Sequence, residues 1–331
     1  MGGGHEMART LHEQEPGRGN RYATAAGTPN VSHSPWQGQD AKALTLAFGG
    51  RWHGRYGTAP CPVCQTERRK GQNALTLADG LNARLVLHCK KSACTFADLL
   101  AALGLRPGSY TPPDPATLAQ REAERWAEAV KRADQAKRLW QEAQPIAGTV
   151  AETYLRGRGI TCALPDALRF HPEAWHGPTA KRYPALVALV DGAEGFAVHR
   201  TYLRPDGLGK AAVEPAKAML GAVQGGAVRL TDRPGPLVLA EGIETALSLS
   251  CGLLRAPAAI WAALSTSGIK ALRLPLRAGR LTIATDGDKA GREAAHALAE
   301  RAHAQGWAVS LLPAPDGRDW NDILRMKGGA A

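Results

Sequence analysis

The chain of 331 residues contains no apolar run that approaches the roughly 20 residues of a membrane-spanning helix. Its first residues also lack the apolar core of a secretory signal peptide. Internal sequence repeats are absent, which excludes repeat architectures. Together these absences predict a cytoplasmic protein that does not enter a membrane.

The sequence also lacks the G-x-x-x-x-G-K-[ST] phosphate loop, so a P-loop ATPase is excluded. Acidic residues are in the minority, with 30 Asp and Glu against 41 Lys and Arg, and the formal net charge is +11. A chain this basic suits an anionic partner, of which nucleic acid is the commonest. Charge alone also fits any basic protein, since part of the excess reflects a general bias toward Arg, Ala and Gly.

Cysteine is scarce, but four of the six cysteines form two closely spaced pairs. Cys61 and Cys64 are separated by two residues, and two thiolates at this spacing can bind one tetrahedral zinc ion. Cys89 and Cys94 follow a predicted hairpin around Asp79-Gly80. In a reducing compartment such pairs favour a metal over disulfides. We therefore predict a zinc ribbon, with structural zinc because four thiolates leave no open position.

Two alternatives to this quartet stay open: His88 could replace Cys89 as a ligand, or the cysteines could be unrelated buried thiols. Basic residues interleaved with aromatic ones surround the pairs and suit single-stranded DNA, through phosphate neutralisation and base stacking. These residues are Arg51, Trp52, His53, Arg55, Tyr56, Arg68, Arg69, Lys70, Lys90 and Lys91.

The chain is predicted to be an α/β protein, divided by breaks rich in Gly and Pro and by changes of apolar periodicity. The predicted segments are a disordered tail over 1–40, a zinc-ribbon domain over 41–106, a linker with one long helix over 107–148, a mixed α/β basic subdomain over 149–233 and a final domain over 234–328. In the final domain apolar strands alternate with helices. This alternation predicts a Rossmann-like, mostly parallel sheet.

Three acidic residues follow two strands of that predicted sheet. Glu241 comes directly after the strand 237–240, and Asp286 and Asp288 follow the strand 281–285. Open parallel sheets bind ligands at the carboxyl ends of their strands, and oxygen ligands suit Mg²⁺. We therefore predict a divalent-cation site at this edge, with solvated loop acids as the alternative.

The acidic segments resemble the motifs of the Toprim domain, in the version found in bacterial, DnaG-type primases. Ala240–Ala246 and Thr285–Ala295 are similar to its two defining motifs, and Pro315–Asp322 is similar to its third acidic motif. If the resemblance holds, Asp286, Asp288 and Asp319 are ligands of Mg²⁺ or Mn²⁺, and Glu241 is a general acid or base.

The resemblance extends upstream and covers about residues 44–325. Tyr154–Ile160 is similar to the entry of the primase catalytic core, and Val198–Tyr202 and Pro215–Gly221 resemble its basic RNA-polymerase subdomain. Arg200 and Lys217 are therefore expected to contact nucleoside triphosphate or template. The likeness is greatest to short zinc–Toprim primases of phages, plasmids and other mobile elements.

The family implies an enzyme that synthesises short RNA primers on single-stranded DNA, with any helicase as a separate partner. Thr245 and Asn321 stand where the family usually has acidic residues, which leaves the number of catalytic metals open. A Toprim nuclease and a non-catalytic zinc DNA-binding replication accessory protein are the alternatives. A type IA topoisomerase is disfavoured because all six tyrosines precede Glu241, whereas that family places its nucleophilic tyrosine far downstream.

Overall fold

The computed structural model describes residues 39–67, 71–80, 84–105 and 110–328. The predicted tail, except its last two residues, lies outside this part of the chain, as do Arg68–Lys70 and the predicted break at Arg106–Gly108. The chain forms two compact units that divide after Pro115. Among the helices of the described part, none combines the length and the apolar character needed to cross a membrane.

The first unit contains a four-stranded antiparallel sheet flanked by two short helices. Its strands, in spatial order, are β1 (Arg51–Trp52), β2 (Tyr56–Ala59), β3 (Leu75–Gly80) and β4 (Arg84–Cys89), and its helices are α1 (Ala41–Ala47) and α2 (Phe96–Ala102). Along β4 every second residue is buried, ending with Cys89, as expected for a sheet with one solvated face. The pairing of β3 with β4 is the predicted hairpin around Asp79-Gly80.

The second unit begins within one long helix, α3 (Pro115–Glu142), which lies inside the segment 107–148 where one long helix is predicted. Ala136 is its one buried residue, and Trp126 is 74% exposed. Its last turns pack on the sheet that follows, through Leu139 and Trp140. The earlier turns therefore expose a thin apolar seam.

An antiparallel sheet and a parallel-rich sheet make up the rest of the second unit. The antiparallel sheet has the order β5 (Gln144–Pro145), β6 (Leu168–His176), β7 (Lys181–Val190), β8 (Ala197–Tyr202) and β9 (Lys217–Leu220), with α4 (Val150–Gly157) between β5 and β6. Each neighbouring pair in it is antiparallel.

The second sheet has the order β10-β12-β11-β13-β14, in which β10 is antiparallel and the other four strands are parallel. Its strands are β10 (Val228–Asp232), β11 (Leu237–Ala240), β12 (Ala259–Ala262), β13 (Arg280–Ala284) and β14 (Ala308–Leu311). The helices around it are α5 (Ile243–Ser248), α6 (Thr266–Ala271), α7 (Lys289–Ala304) and α8 (Trp320–Gly328). The predicted fold class, α/β with a mostly parallel sheet, is confirmed.

Strand β11 lies at the centre of the parallel sheet and is buried along its whole length. Val238 and Ala240 point into a core shared with the antiparallel sheet, whereas Leu237 and Leu239 point into the core beneath α7. A strand covered on both faces needs an unbroken apolar run, which Leu-Val-Leu-Ala supplies. The first polar side chain therefore comes after the end of the strand, at Glu241.

Candidate active site and metal centre

The four paired cysteines come together in the first unit. The Sγ atoms of Cys61 and Cys94 are 3.9 Å apart, those of Cys64 and Cys89 are 3.5 Å apart, and all four lie within 4.8 Å of one another. Sulfurs bound to one tetrahedral zinc, with Zn–S bonds of about 2.3 Å, are about 3.8 Å apart. The quartet therefore fits a zinc ion.

Local structure places each thiol of this quartet. Gln65 accepts hydrogen bonds from the backbone N–H groups of Cys61 and Ala74, both at 2.9 Å, and so ties the first knuckle to the sheet. Desolvation and the neighbouring thiols raise the pKa of Cys94 to about 12. Four thiols this close cannot all ionise without a cation, and a bound metal deprotonates such thiols. His88 faces away from Cys89 on β4, so the structure brings Cys89, not His88, into the quartet.

The predicted nucleic-acid surface of the first unit is largely solvent-exposed where it is described. The rings of His53 and Tyr56 lie 5.0 Å apart, and Tyr56 is exposed. Further exposed charges are Arg51, Arg55, Lys90 and Lys91. Exposed aromatic and basic side chains are what a single strand requires.

In the second unit, the acidic residues lie at the carboxyl ends of adjacent strands. Ala240 of β11 pairs with Ala284 of β13, so Glu241 and Thr285 leave the sheet at the same level. The loop after β13 is then joined to the loop before α8. The Gly287 N–H donates to the Arg318 carbonyl at 2.8 Å, and a methyl group on Gly287 would collide with the Pro315 carbonyl oxygen. This close approach brings Asp319 toward Asp286.

The electrostatics of the acids show how near they are to one another. Burial, then the charges of Asp286 and Asp288, raise the pKa of Glu241 to about 7, although Lys217 opposes the shift. Burial, then the charge of Asp319, also raise the pKa of Asp286. Carboxylates that repel one another at a partly buried site form a favourable place for a cation.

Each aspartate also has a structural contact of its own. Asp288 is the N-cap of α7, where its Oδ1 accepts from the Gly291 N–H at 2.6 Å. The Thr245 hydroxyl donates to Asp286 Oδ1 at 3.3 Å. Thr245, which stands where the family usually has an acidic residue, therefore orients an aspartate. Asp319 accepts from the Asp322 N–H at 2.8 Å. These bonds orient the side chains at the sheet edge.

The donor set suits Mg²⁺, which prefers oxygen ligands and usually keeps several waters while binding one or two carboxylates. The acids are spread more widely than the thiols. In the described ranges, the thiol quartet is the one set of three or more Cys, His, Asp or Glu residues whose ligand atoms all lie within 4.8 Å. A hydrated ion fits this looser arrangement.

A buried anion that the sequence did not single out lies beside the acids. Glu244 on α5 is almost fully buried; its carboxylate accepts from the Tyr154 hydroxyl at 2.8 Å and from Lys217 Nζ at 3.0 Å, and Lys210 Nζ is 3.8 Å away. Burial alone would raise the pKa of Glu244, but Lys217 and Lys210 outweigh it and hold that pKa far below its ordinary range. Glu244 therefore fixes Lys217, whose charge also reaches Glu241.

Substituting Glu244→Gln leaves two lysines without their buried partner. We expect the free energy of unfolding to fall by about 2 kcal/mol, less than for a fully buried pair because both lysines touch solvent. The melting temperature should fall by about 6 °C at pH 7. Because the folded pKa is depressed, this stabilisation is complete above the ordinary pKa of 4.5 and is lost as the pH falls. Thermal unfolding at several pH values from 7 to 3 checks that the difference in melting temperature between the wild type and Glu244→Gln becomes smaller.

Glu293→Gln is the matched control. Glu293 forms an exposed 3.9 Å pair with Lys289 on α7, and such surface pairs contribute little. A change at Glu293 as large as that at Glu244 would contradict the assigned role of the buried anion.

Two further residues from the sequence analysis make contacts that were not foreseen. The Arg200 guanidinium donates to the Trp175 and Met219 carbonyls at 3.1 and 3.4 Å, away from the acids. Asn321 is fully buried, and its Nδ2 donates to the Arg158 carbonyl and the Ser248 hydroxyl, both at 2.9 Å. Asn321 thus joins α8 to α5 through its amide nitrogen.

Comparison with protein families identifies the parallel-rich region. Residues 236–330 match the model of the Toprim domain, and residues 130–230 match a model described as a domain of unknown function (DUF7146). The last part of the chain is a Toprim domain, as the motifs around Glu241 and Asp286 predict. No curated protein matches the chain.

Three solved structures are similar to the chain at low identity. The Aquifex aeolicus primase, with zinc binding and RNA polymerase domains, is 13% identical, with 87% of this chain and 80% of that chain covered and a TM-score of 0.37. The RNA polymerase domain of Mycobacterium tuberculosis primase DnaG is 17% identical, with 61% of this chain and 80% of that chain covered and a TM-score of 0.34. The primase fragment of the bacteriophage T7 primase-helicase protein is 12% identical, with 82% of this chain and 95% of that chain covered and a TM-score of 0.29.

Proposed function

We propose that the chain is a metal-dependent DNA primase that joins ribonucleotides into short RNA on single-stranded DNA. The single observation that carries the proposal is the meeting of Glu241, Asp286, Asp288 and Asp319 at the carboxyl edge of a Toprim sheet. There burial and the charges of Asp286 and Asp288 raise the pKa of Glu241, and burial and the charge of Asp319 raise that of Asp286. The thiol quartet and the net positive charge support it.

In this proposal Asp286, Asp288 and Asp319 would hold Mg²⁺ or Mn²⁺. The bound ion would neutralise the α-phosphate and stabilise the pyrophosphate leaving group. Glu241 removes the proton from the attacking 3′-hydroxyl and so acts as the general base. Lys217, held by Glu244, supplies a fixed positive charge for triphosphate or template.

Arg200 contributes differently. Its guanidinium is half-buried and donates to two backbone carbonyls, so it would act on the nucleic acid chiefly through its charge. The first unit would select the template, with structural zinc in the quartet of Cys61, Cys64, Cys89 and Cys94. A cytoplasmic location and a separate helicase partner belong to the same proposal.

Removing the proposed base should slow the chemical step. We expect Glu241→Gln to lower kcat roughly 100-fold, the lower end of the range for general base catalysis, with little change in KM. The pH dependence of kcat should also lose the rise that follows ionisation of the Glu241 carboxyl. Steady-state primer synthesis at several pH values checks both, and a variant that keeps the wild-type pH profile would remove Glu241 from this role.

The activity is tested by incubating the intact chain with single-stranded DNA, labelled ribonucleoside triphosphates and Mg²⁺. Short labelled RNA is the expected product, and it should disappear when Mg²⁺ is omitted. Cleavage of the DNA without labelled product would instead assign the same acids to a Toprim nuclease. DNA binding with neither product would assign the chain to a non-catalytic accessory role.

A further inference from the structure

The two cysteines outside the thiol quartet lie against each other in the second unit. Cys162 follows α4 and Cys251 follows α5; their Sγ atoms are 2.8 Å apart, although 89 positions separate them in the sequence. The Cys162 backbone N–H also donates to Cys251 Sγ at 3.3 Å. A disulfide bond is about 2.05 Å long, so a movement of less than about 1 Å would join the two sulfurs.

The local backbone holds Cys251 in this position. After α5 the chain forms a π-type turn over Leu249–Leu253, in which Cys251 has non-helical dihedral angles and Gly252 has a φ of +93°. Glycine adopts that φ without steric cost, and π-type turns recur at functional positions. Both cysteines are only partly buried and both are free thiols, so a small reagent can reach them.

We propose that Cys162 and Cys251 form a reversible disulfide when the protein meets a two-electron oxidant of the peroxide class. The Cys251 thiolate attacks hydrogen peroxide, the O–O bond breaks, and a sulfenic acid forms with release of hydroxide. Cys162 then attacks that sulfur, the S–S bond forms, and the hydroxyl group leaves as water with the Cys162 proton. In sum, two thiols lose two hydrogens and one peroxide becomes two waters.

The order of attack follows from the backbone beside the two sulfurs. The Cys162 backbone N–H donates to Cys251 Sγ at 3.3 Å and favours a thiolate at Cys251. The neighbouring Cys162 thiol and this N–H lower the pKa of Cys251. The thiolate is the reactive form of cysteine. Cys251 is therefore the attacking residue and Cys162 the resolving one.

The bond would join two elements that hold the buried anion of the Toprim domain. Helix α4 carries Tyr154 and α5 carries Glu244, and these two side chains share the 2.8 Å hydrogen bond described above. A disulfide between the segments that follow the two helices would prevent them from separating. Oxidation should therefore raise the melting temperature, by roughly 10 °C for a bond that closes a long loop.

The test uses the full chain with its zinc bound, treated with hydrogen peroxide and then digested with trypsin under non-reducing conditions. Arg233 precedes a proline, so trypsin should release residues 159–169 and residues 230–255, and neither peptide contains a cysteine of the quartet. We expect these two peptides as one crosslinked species that dithiothreitol separates. Cys162→Ser and Cys251→Ser should each abolish the crosslink, and neither should alter the quartet peptides.

A crosslinked peptide that forms with peroxide and disappears with dithiothreitol supports the disulfide. Recovery of the two peptides separately, or Cys251 found only as a sulfinic acid, overturns it. The peptide map of the wild-type protein shows by itself whether the Cys162–Cys251 disulfide forms, so the test does not depend on whether the serine variants fold.

Discussion

Substituting Asp286→Asn should lower primer synthesis roughly 1,000-fold, the upper end of what one electrostatic contact to a transition state contributes. Asparagine keeps the shape of the side chain and can still accept from the Thr245 hydroxyl. It removes the charge that, with Asp319 nearby, makes the sheet edge attractive to a cation. The loss should therefore appear in activity, measured as labelled RNA per unit time, without a drop in melting temperature.

Asp316→Asn is the matched control for this substitution. Asp316 lies in the loop that contacts Gly287, but its side chain is 90% exposed and pairs with Arg292. We expect it to keep nearly wild-type activity. If Asp286→Asn retained more than about a tenth of the wild-type activity, the proposed role of Asp286 as a ligand of the catalytic cation would be wrong.

Substituting Cys61→Ser should unfold the first unit. This unit is small, and the binding energy of a structural zinc is also folding energy, about 10 kcal/mol or more for small zinc domains. The zinc content should fall from about one ion per chain to none. The second unit has its own core, so it should keep its own melting transition.

Cys162→Ser is the control here, because Cys162 lies outside the quartet. It should leave zinc content and the first unit unchanged. Elemental analysis, with limited proteolysis of residues 39–115, distinguishes the two variants. A Cys61→Ser protein that keeps full zinc content, or whose first unit resists protease as the wild type does, would exclude the quartet as a zinc site.

The sequence predicted most of the parallel-rich sheet because its signals are local. A strand is predicted over 237–240, and β11 is found there. The edge that carries Glu241 and Asp286 followed from the same logic, since parallel strands end together. The cysteine pairs were also predictable, because their spacing alone specifies a possible metal site.

The anion at Glu244 could not be predicted in this way. Its contacts with Tyr154 and Lys217 join residues 90 and 27 positions apart, and no local period marks them. One signal was present: a glutamate is the one charged residue in the stretch from Ile243 to Leu249, all of which is buried. A charge in such a stretch needs a partner. The packing contacts of Asn321 were likewise not predictable, because they join residues 163 and 73 positions apart.

The proposed function requires the acids at the Toprim sheet edge to bind a divalent cation. Titration with Mn²⁺ measures this binding in the wild type, Asp286→Asn and Asp316→Asn, with electron paramagnetic resonance as the readout of free Mn²⁺. We predict that Asp286→Asn weakens binding at least roughly 10-fold, whereas Asp316→Asn binds as the wild type does. Equal binding by all three proteins would contradict the account.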